Sequence, residues 1–177
     1  MKIIFETPRL ILRRFTEADA PLILQLNSDP EVVKYVHERV LQTEEEAREI
    51  IVSIILPQYE LDLGRWAMHT KADNEFIGWC GLKYLPKYDE IDLGYRINKS
   101  SWGNGFATEA ATHTLAYGFD TLKIPLITGK AHVDNIASLK ILEKIGMNFI
   151  REEVEDDCPI KIYTLANPNL IQVKNQK

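Results

Sequence analysis

Thiols, basic charge and long apolar runs are all scarce in this chain, and each shortage removes a class of protein. Cys80 and Cys158 are the only cysteines, too few for a disulfide-stapled scaffold and without metal-ligand spacing. They point to reduced thiols in a cytoplasmic protein, a single bridge between them being the alternative. Lys and Arg number 21 against 26 Asp and Glu, a net charge of -5, which argues against the basic patch of a nucleic-acid surface. No apolar run approaches the ~20 residues of a membrane-spanning helix, and the first residues carry no apolar signal region. Two phosphate signatures are missing as well. No Gly-Lys-Ser/Thr ending marks a P-loop, and Gly103 and Gly105 are followed by Thr108, where a dinucleotide fingerprint has Gly or Ala.

What is present is an ordinary globular composition. Its 177 residues are 45% apolar and 27% charged, enough for one core that needs no staples. No repeat, low-complexity tract or linker divides the chain. We expect one domain over residues 1–166 and a polar, frayed tail over 167–177.

Patterning then places the elements. Residues 9–15 read as the first strand, with Ile3 to Phe5 apolar ahead of it. Thr16-Glu17-Ala18-Asp19 has capping-box spacing and opens a helix to about Asn27. Asp29-Pro30 starts a short helix, and Thr43-Glu44-Glu45-Glu46 caps a third that Pro57 should stop. From residue 65 the period becomes two. Strands are expected at 65–69 and 75–82, joined by Ala72-Asp73-Asn74, and Gly78 and Gly81 suggest a bulge or a close backbone neighbour. Residues 89–97 alternate, with Ile91, Leu93, Tyr95 and Ile97 on one face and Glu90, Asp92, Gly94 and Arg96 on the other. A helix over 107–119, a strand over 126–133, a helix from Asn135 to Ile145 and strands at 149–154 and 160–165 complete a mixed α/β sheet. The passage from 90 to 132 should be a right-handed crossover between parallel neighbours.

The stretch Tyr95-Arg96-Ile97-Asn98-Lys99-Ser100-Ser101-Trp102-Gly103-Asn104-Gly105-Phe106-Ala107-Thr108 organises the rest. A strand runs into a glycine turn, and the turn into the open N-terminus of a helix. Free N–H groups and the positive end of the helix dipole make such a junction a cradle for phosphate or pyrophosphate. A plain tight turn before a helix is the alternative.

These residues resemble the GNAT superfamily of acyl-CoA-dependent N-acetyltransferases, and within it the branch that acetylates ribosomal-protein N-termini. The resemblance lies in Thr7-Pro8-Arg9-Leu10-Ile11-Leu12-Arg13, in Trp102 to Ala110, and in Asn135 to Met147. It implies a central twisted, mostly antiparallel sheet of about seven strands, one parallel pair splayed at the cofactor site, with flanking helices. It also implies acetyl-CoA as cosubstrate and CoA as product. Backbone groups of Tyr95, Arg96 and Ile97 would meet the pantetheine arm. Amides of Trp102, Gly103, Asn104, Gly105, Phe106, Ala107 and Thr108 would hold the pyrophosphate. Asn135 and Ser138 would form the second cofactor segment, Asn135 serving also or only as a helix cap. Superfamily members often carry Arg or Gln at the position of Trp102, so a charged contact is lost there. Many carry a proton-donating tyrosine at the position of Leu142, and Ser138 becomes the substitute donor by analogy with this branch.

Acetyl transfer needs a neutral amine, a stabilised oxyanion and a protonated leaving thiolate. An α-amine of pKa near 7.7–8.0 is neutral to roughly a tenth at pH 7, whereas a lysine near 10.4 is almost wholly charged. Asp92 and Glu90, on the strand beside the implied thioester, are candidate bases, with Glu109 and His132 beside them. Dipole stabilisation is the alternative for Glu109 and a structural role that for His132. Lys99, Lys140 and Lys144 could reach an adenosine phosphate or simply face solvent. The acidic run Glu152 to Asp157 could attract a cationic amine or form a solvated hairpin tip. Trp66, Trp79, Tyr84 and Tyr88 are candidates for an acceptor wall or for core. The acceptor is either a protein N-terminus or a small amine, with no nucleic acid and no membrane, in a monomer or homodimer. A non-catalytic acyl-CoA sensor is the rival, and a different nucleotide-binding enzyme is disfavoured by the missing motifs.

Overall fold

The computed structural model describes residues 2–36 and 38–170. Its eight-stranded sheet runs in the order β1-β2-β3-β4-β5-β6-β8-β7. The strands are β1 Ile3–Glu6, β2 Leu10–Arg14, β3 Gly64–Thr70, β4 Phe76–Leu85, β5 Glu90–Ile97, β6 Leu126–His132, β7 Asn148–Glu155 and β8 Cys158–Ala166. The helices are α1 Ala20–Asn27, α2 Pro30–Val33, α3 Glu44–Ile50, α4 Phe106–Ala116 and α5 Ile136–Lys144. Every neighbouring pair is antiparallel except β5 and β6. That mixed sheet with one parallel pair is the architecture expected, with one strand more than the seven foreseen. The extra one is β1, which folds back on β2 through Thr7-Pro8. Four residues were too few to read as a strand without their partner.

A second difference concerns α3. Pro57 does not stop the chain's helical course. A wider π-helical turn, Ile51–Ile55, follows α3, and a 3-10 segment, Leu56–Leu61, then begins with Pro57 in its first turn. Proline is tolerated there because that N–H lacks an intrahelical partner anyway. The cap of α3 forms as expected: Glu46 N donates to Thr43 Oγ1 at 3.3 Å, and Glu46 Oε2 accepts from Thr43 N at 3.2 Å.

In β4 the bulge foreseen at the glycines lies where β3 pairing slips between Met68 and His69. Gly78 has φ +141, and a Cβ there would stand 2.0 Å from the Arg96 carbonyl oxygen. No side chain fits that contact. At the far end of β8, Asn167 is buried at 1% exposure, its Nδ2 donating to the carbonyls of Phe119 and Ile124. Of the polar tail expected from 167, residues 168–170 make a helical turn, and 171–177 lie outside the described residues.

The two faces of the central strands matter for everything that follows. Trp66, Cys80 and Tyr95 sit in register across β3, β4 and β5, and Cys80 Sγ lies 3.3 Å from Thr114 of α4. That is the α4 face, and its packing forms much of the core. Ala67, Trp79 and Arg96 are in register on the other face, where Arg96 reaches Asn27 at the end of α1. Alternation along β5 therefore divides the residues foreseen on its two faces between two different compartments.

Candidate active site

Parallel pairing between β5 and β6 lasts for only two positions, Asp92 with Thr128 and Leu93 with Gly129. Beyond them the strands part, and a cleft of about 790 Å³ opens through the sheet. A peptide edge is thereby left free. The Arg96 carbonyl lies against Gly78 of β4, so strand alternation aims the peptide groups of Tyr95 at the opening instead. The Ile97 carbonyl, aimed the same way, accepts a hydrogen bond from the Trp102 indole Nε1 at 2.8 Å. That bond holds the Trp102 ring at the cleft wall.

On the α4 side the cleft meets the glycine turn. Gly103 and Gly105 have φ +77 and +78, the left-handed region in which glycine is unstrained. Among the described residues no acceptor faces the amides of Gly103 to Thr108; the first bond of the turn runs from Glu109 N to Gly105 O at 3.0 Å. The side chain of Asn104 caps the Ser101 and Trp102 carbonyls. Arg9 braces the turn from outside, with Nη1 on the Asn104 carbonyl at 3.0 Å and its guanidinium over the Phe106 ring at 4.6 Å. Glu109 completes the brace. It accepts from Thr7 Oγ1 at 2.6 Å, from Arg9 N at 2.9 Å and from Arg9 Nε at 2.6 Å. Burial pushes its carboxyl up, but these donors win and hold it below the ordinary value. Glu109 thus ties the turn between β1 and β2 to α4, a role wider than dipole stabilisation.

Opposite this turn stands α5. Asn135 Oδ1 accepts from Ser138 N at 3.2 Å, the helix cap foreseen. The Ser138 carbonyl accepts from the Tyr95 hydroxyl at 3.1 Å, so Tyr95 spans the opening from β5 to α5. Burial raises the Tyr95 phenol strongly. The Ser138 hydroxyl borders the cleft with no partner among the described residues, while Leu142 is buried at 1% exposure.

The α1 face of β5 carries the charge. Asp92 borders the cleft, and its Oδ1 is shielded from solvent without a hydrogen-bond partner. Burial pushes its carboxyl up to about 7, against the pull of Lys130 and Arg65. Glu90 departs from its expected role. It does not border the cleft, and its Oε2 lies 3.3 Å from Lys130 Nζ. Lys130 also holds Glu155 at 3.1 Å and lies over the Tyr88 ring at 4.0 Å. Glu90 is therefore a clamp on Lys130, because position 90 lies outside the splayed part of the strand. Arg96 bonds Asn27 Oδ1 at 2.6 Å and Glu38 Oε2 at 2.8 Å. Burial pushes Glu38 up, but Arg96 brings it below its ordinary value. His132 also lines the cleft; its Nδ1 accepts from Asp134 N at 3.0 Å, and its ring centroid lies 5.5 Å from that of Tyr35.

The structure thus brings together Asp92, Tyr95, Ser138 and the turn at residues 103–108 around one cleft. It leaves Lys99, Lys140 and Lys144 off its walls. Of the aromatics, Trp79 lines the cleft while Trp66 is core at 1% exposure. Sequence reasoning missed Arg65, Lys130 and Glu38. Lys130 could have been found, since Thr128, Lys130 and His132 alternate along β6. Glu38 lies outside any regular element and gave no signal. Among the described residues no cluster of three or more His, Cys, Asp or Glu is placed to hold a metal ion. None of their helices is long and apolar enough to cross a membrane.

Comparison with known proteins agrees with this geometry. Residues 9–148 match the family model described as an acetyltransferase (GNAT) domain. The uncharacterized N-acetyltransferase p20 of Bacillus licheniformis is 33% identical over 168 residues, which cover 94% of this chain and 90% of that protein. Among solved structures, RimL, a ribosomal L7/L12 alpha-N-protein acetyltransferase in complex with coenzyme A, superposes with a TM-score of 0.80 at 18% identity, covering 93% of this chain and 98% of that one. Spermidine N-acetyltransferase from Vibrio cholerae, in complex with CoA and spermine, does so with a TM-score of 0.77 at 20% identity, covering 92% and 98%. At those identities the likeness is one of fold.

Proposed function

This chain belongs to the GNAT acetyltransferase family, and from that premise we propose that it moves the acetyl group of acetyl-CoA to a primary amine, by direct attack in a ternary complex. The observation that carries the reading is the run of unpartnered amides at Gly103 to Thr108, opening onto a gap in the sheet. Those amides, on the positive end of α4, suit a diphosphate. The free peptide edge at Tyr95 suits the amide-bearing arm of the same molecule. Bound acetyl-CoA supplies the activated acyl group; the chain's own residues do the rest.

Asp92 stands on the opposite face of β5 from Tyr95, so the amine approaches from the α1 side and the cosubstrate from the α4 side. A carboxyl raised to about 7 is half ionised near neutral pH, well matched to take a proton from an ammonium of pKa near 8. Asp92 takes the ammonium proton, directly or through one water, and the neutral amine then attacks; as the C–N bond forms and the C–S bond breaks, its second proton passes to Ser138. The Tyr95 N–H, part of a fixed backbone, stabilises charge growing on the carbonyl oxygen. Ser138 protonates the departing thiolate, since Leu142 cannot. The acceptor is either a protein N-terminal amine or a small amine.

Calorimetric titration with CoA tests the cofactor half. Wild type releases heat, and Gly105→Glu, which sets a carboxylate at the cradle, abolishes it. Equal heats from both proteins would overturn the assignment. Thiol release from acetyl-CoA across an amine panel tests the catalytic half.

A further inference from the structure

The charged groups around the cleft pair off, with one exception among the cations. Arg96 is matched by Glu38, and Lys130 by Glu155 and Glu90. Arg65, which also lines the cleft, has no carboxylate within 4.0 Å and no acceptor for its guanidinium among the described residues. It lies instead over the Trp79 ring, 4.3 Å from the centroid. Stacking occupies the face of a guanidinium and leaves its in-plane N–H fork open, the geometry that takes a carboxylate by two parallel hydrogen bonds. Burial and the nearby Arg96 pull its pKa down from the ordinary value, yet an arginine starts high enough to keep its charge.

The position of this fork is equally informative. Arg65, Gly81 and Gly94 are in register across β3, β4 and β5. The Trp79 ring comes within 3.2 Å of where a Gly94 Cβ would be, and Asp92 Oδ2 within 3.9 Å of it. Trp79 therefore has an unpaired cation stacked on it and an unpaired carboxylate nearby, both on the side from which the amine arrives. A polyamine would need a second anion deeper in the cleft, where the structure has the Arg65 guanidinium. Of the other carboxylates lining the cleft, Glu38 and Glu155 are taken by Arg96 and Lys130, and Glu31 and Asp156 are exposed at its mouth.

We propose that the acceptor is an amino-carboxylate, an amino acid or short peptide whose amine faces Asp92 while its carboxylate docks on Arg65 over the Trp79 ring. This rests on the transferase reading above and names its substrate class. The test uses matched amines with and without the carboxylate: L-phenylalanine with phenethylamine, L-leucine with isoamylamine, γ-aminobutyrate with propylamine, and glycylglycine with its C-terminal amide. Spermidine is the cationic control. Each is assayed by thiol release from acetyl-CoA and by calorimetric titration into the CoA-loaded protein, for wild type, Arg65→Gln and Arg65→Lys.

The expected result is that at least one carboxylate member outperforms its partner in kcat/KM by tenfold or more. Arg65→Gln then raises its KM roughly 10- to 100-fold, the loss of a charge-assisted pair, while the partner amine keeps its KM; any change in kcat from losing the pull of Arg65 on Asp92 is common to both members of a pair. Arg65→Lys, which keeps the charge but not the fork, falls between. The two peptide forms separate a free C-terminus from an amino acid as the source of the carboxylate. Preference for spermidine or the uncharged partners, a preference unchanged in Arg65→Gln, or no carboxylate amine bound or acetylated would each overturn the proposal. CoA heat together with turnover of any amine would show the transferase reading still standing.

Discussion

Asp92→Asn is the substitution on which the proposed chemistry can be most sharply tried, because it should change stability and activity in opposite directions. The Asp92 carboxyl moves from an ordinary 3.8 to about 7 on folding. The folded protein therefore holds this proton more tightly than the unfolded chain. Asp92 costs little stability below about pH 4, where both states are protonated. The cost grows as pH rises toward 7 and is complete above it. At 1.36 kcal/mol per tenfold change in proton affinity, the full cost is about 4 kcal/mol. Water in the cleft screens part of it, so about 2–4 kcal/mol is expected. Asparagine does not titrate.

Urea denaturation of both proteins from pH 4 to 8.5 reads this directly. The variant's stability relative to wild type should climb by about 2–4 kcal/mol across that range, while its kcat/KM at neutral pH drops about 10²- to 10⁴-fold, the usual yield of a general base. Comparing slopes against pH removes any constant penalty of burying an amide. A difference in stability that stays flat with pH would refute the claim that burial holds this proton. Retained activity would refute the catalytic role and leave the burial argument intact.

Glu109→Ala should cost roughly 1–3 kcal/mol, since it strands the Thr7 hydroxyl and two Arg9 donors. The folded carboxyl titrates below its ordinary 4.5, so Glu109's contribution is present above about pH 4.5 and fades as pH falls through the lowered value; thermal melts at pH 7 and 3.5 check it. Ser138→Ala should lower kcat about 10²-fold or more with CoA heats unchanged; a wild-type kcat would remove Ser138 as proton donor.

Much of this molecule could be read along the chain, and the failures have local causes. Alternation in residues 89–97 correctly divided Tyr95 from Asp92, because a strand's period of two survives whatever packs against it. The turn at Gly103 and Gly105 was legible because left-handed backbone calls for glycine. Glu90 and Asp92 share a face, however, and alternation cannot tell which of them stands at the paired rungs beside the opening. That depends on where β6 departs, at Gly129, which is set by packing of α5. Arg65 was invisible for a similar reason. A basic residue beside a tryptophan is common on any strand, and only the lack of a bonded acceptor for it in three dimensions gives it meaning. β1 and the helical path through Pro57 were missed because short elements are defined by partners distant in sequence.

The same geometry explains why a splayed sheet suits a two-substrate reaction. A cleft opening on one face would force amine and thioester to enter together or wait for one another. Here β5 loses its partner after Leu93 while keeping β4 beside it, so one rigid strand shows its odd residues to one compartment and its even residues to the other. Tyr95 and Asp92 then differ in facing direction without either leaving the strand, and the reacting atoms can meet in the gap between them. Pre-set positions of this kind are worth most when nothing has to move at the moment of transfer. The bulge at Gly78 belongs to that arrangement. It lets β4 press against Arg96 at the point where β5 has lost its other neighbour, and so supplies from one side the rigidity that the opening removes from the other.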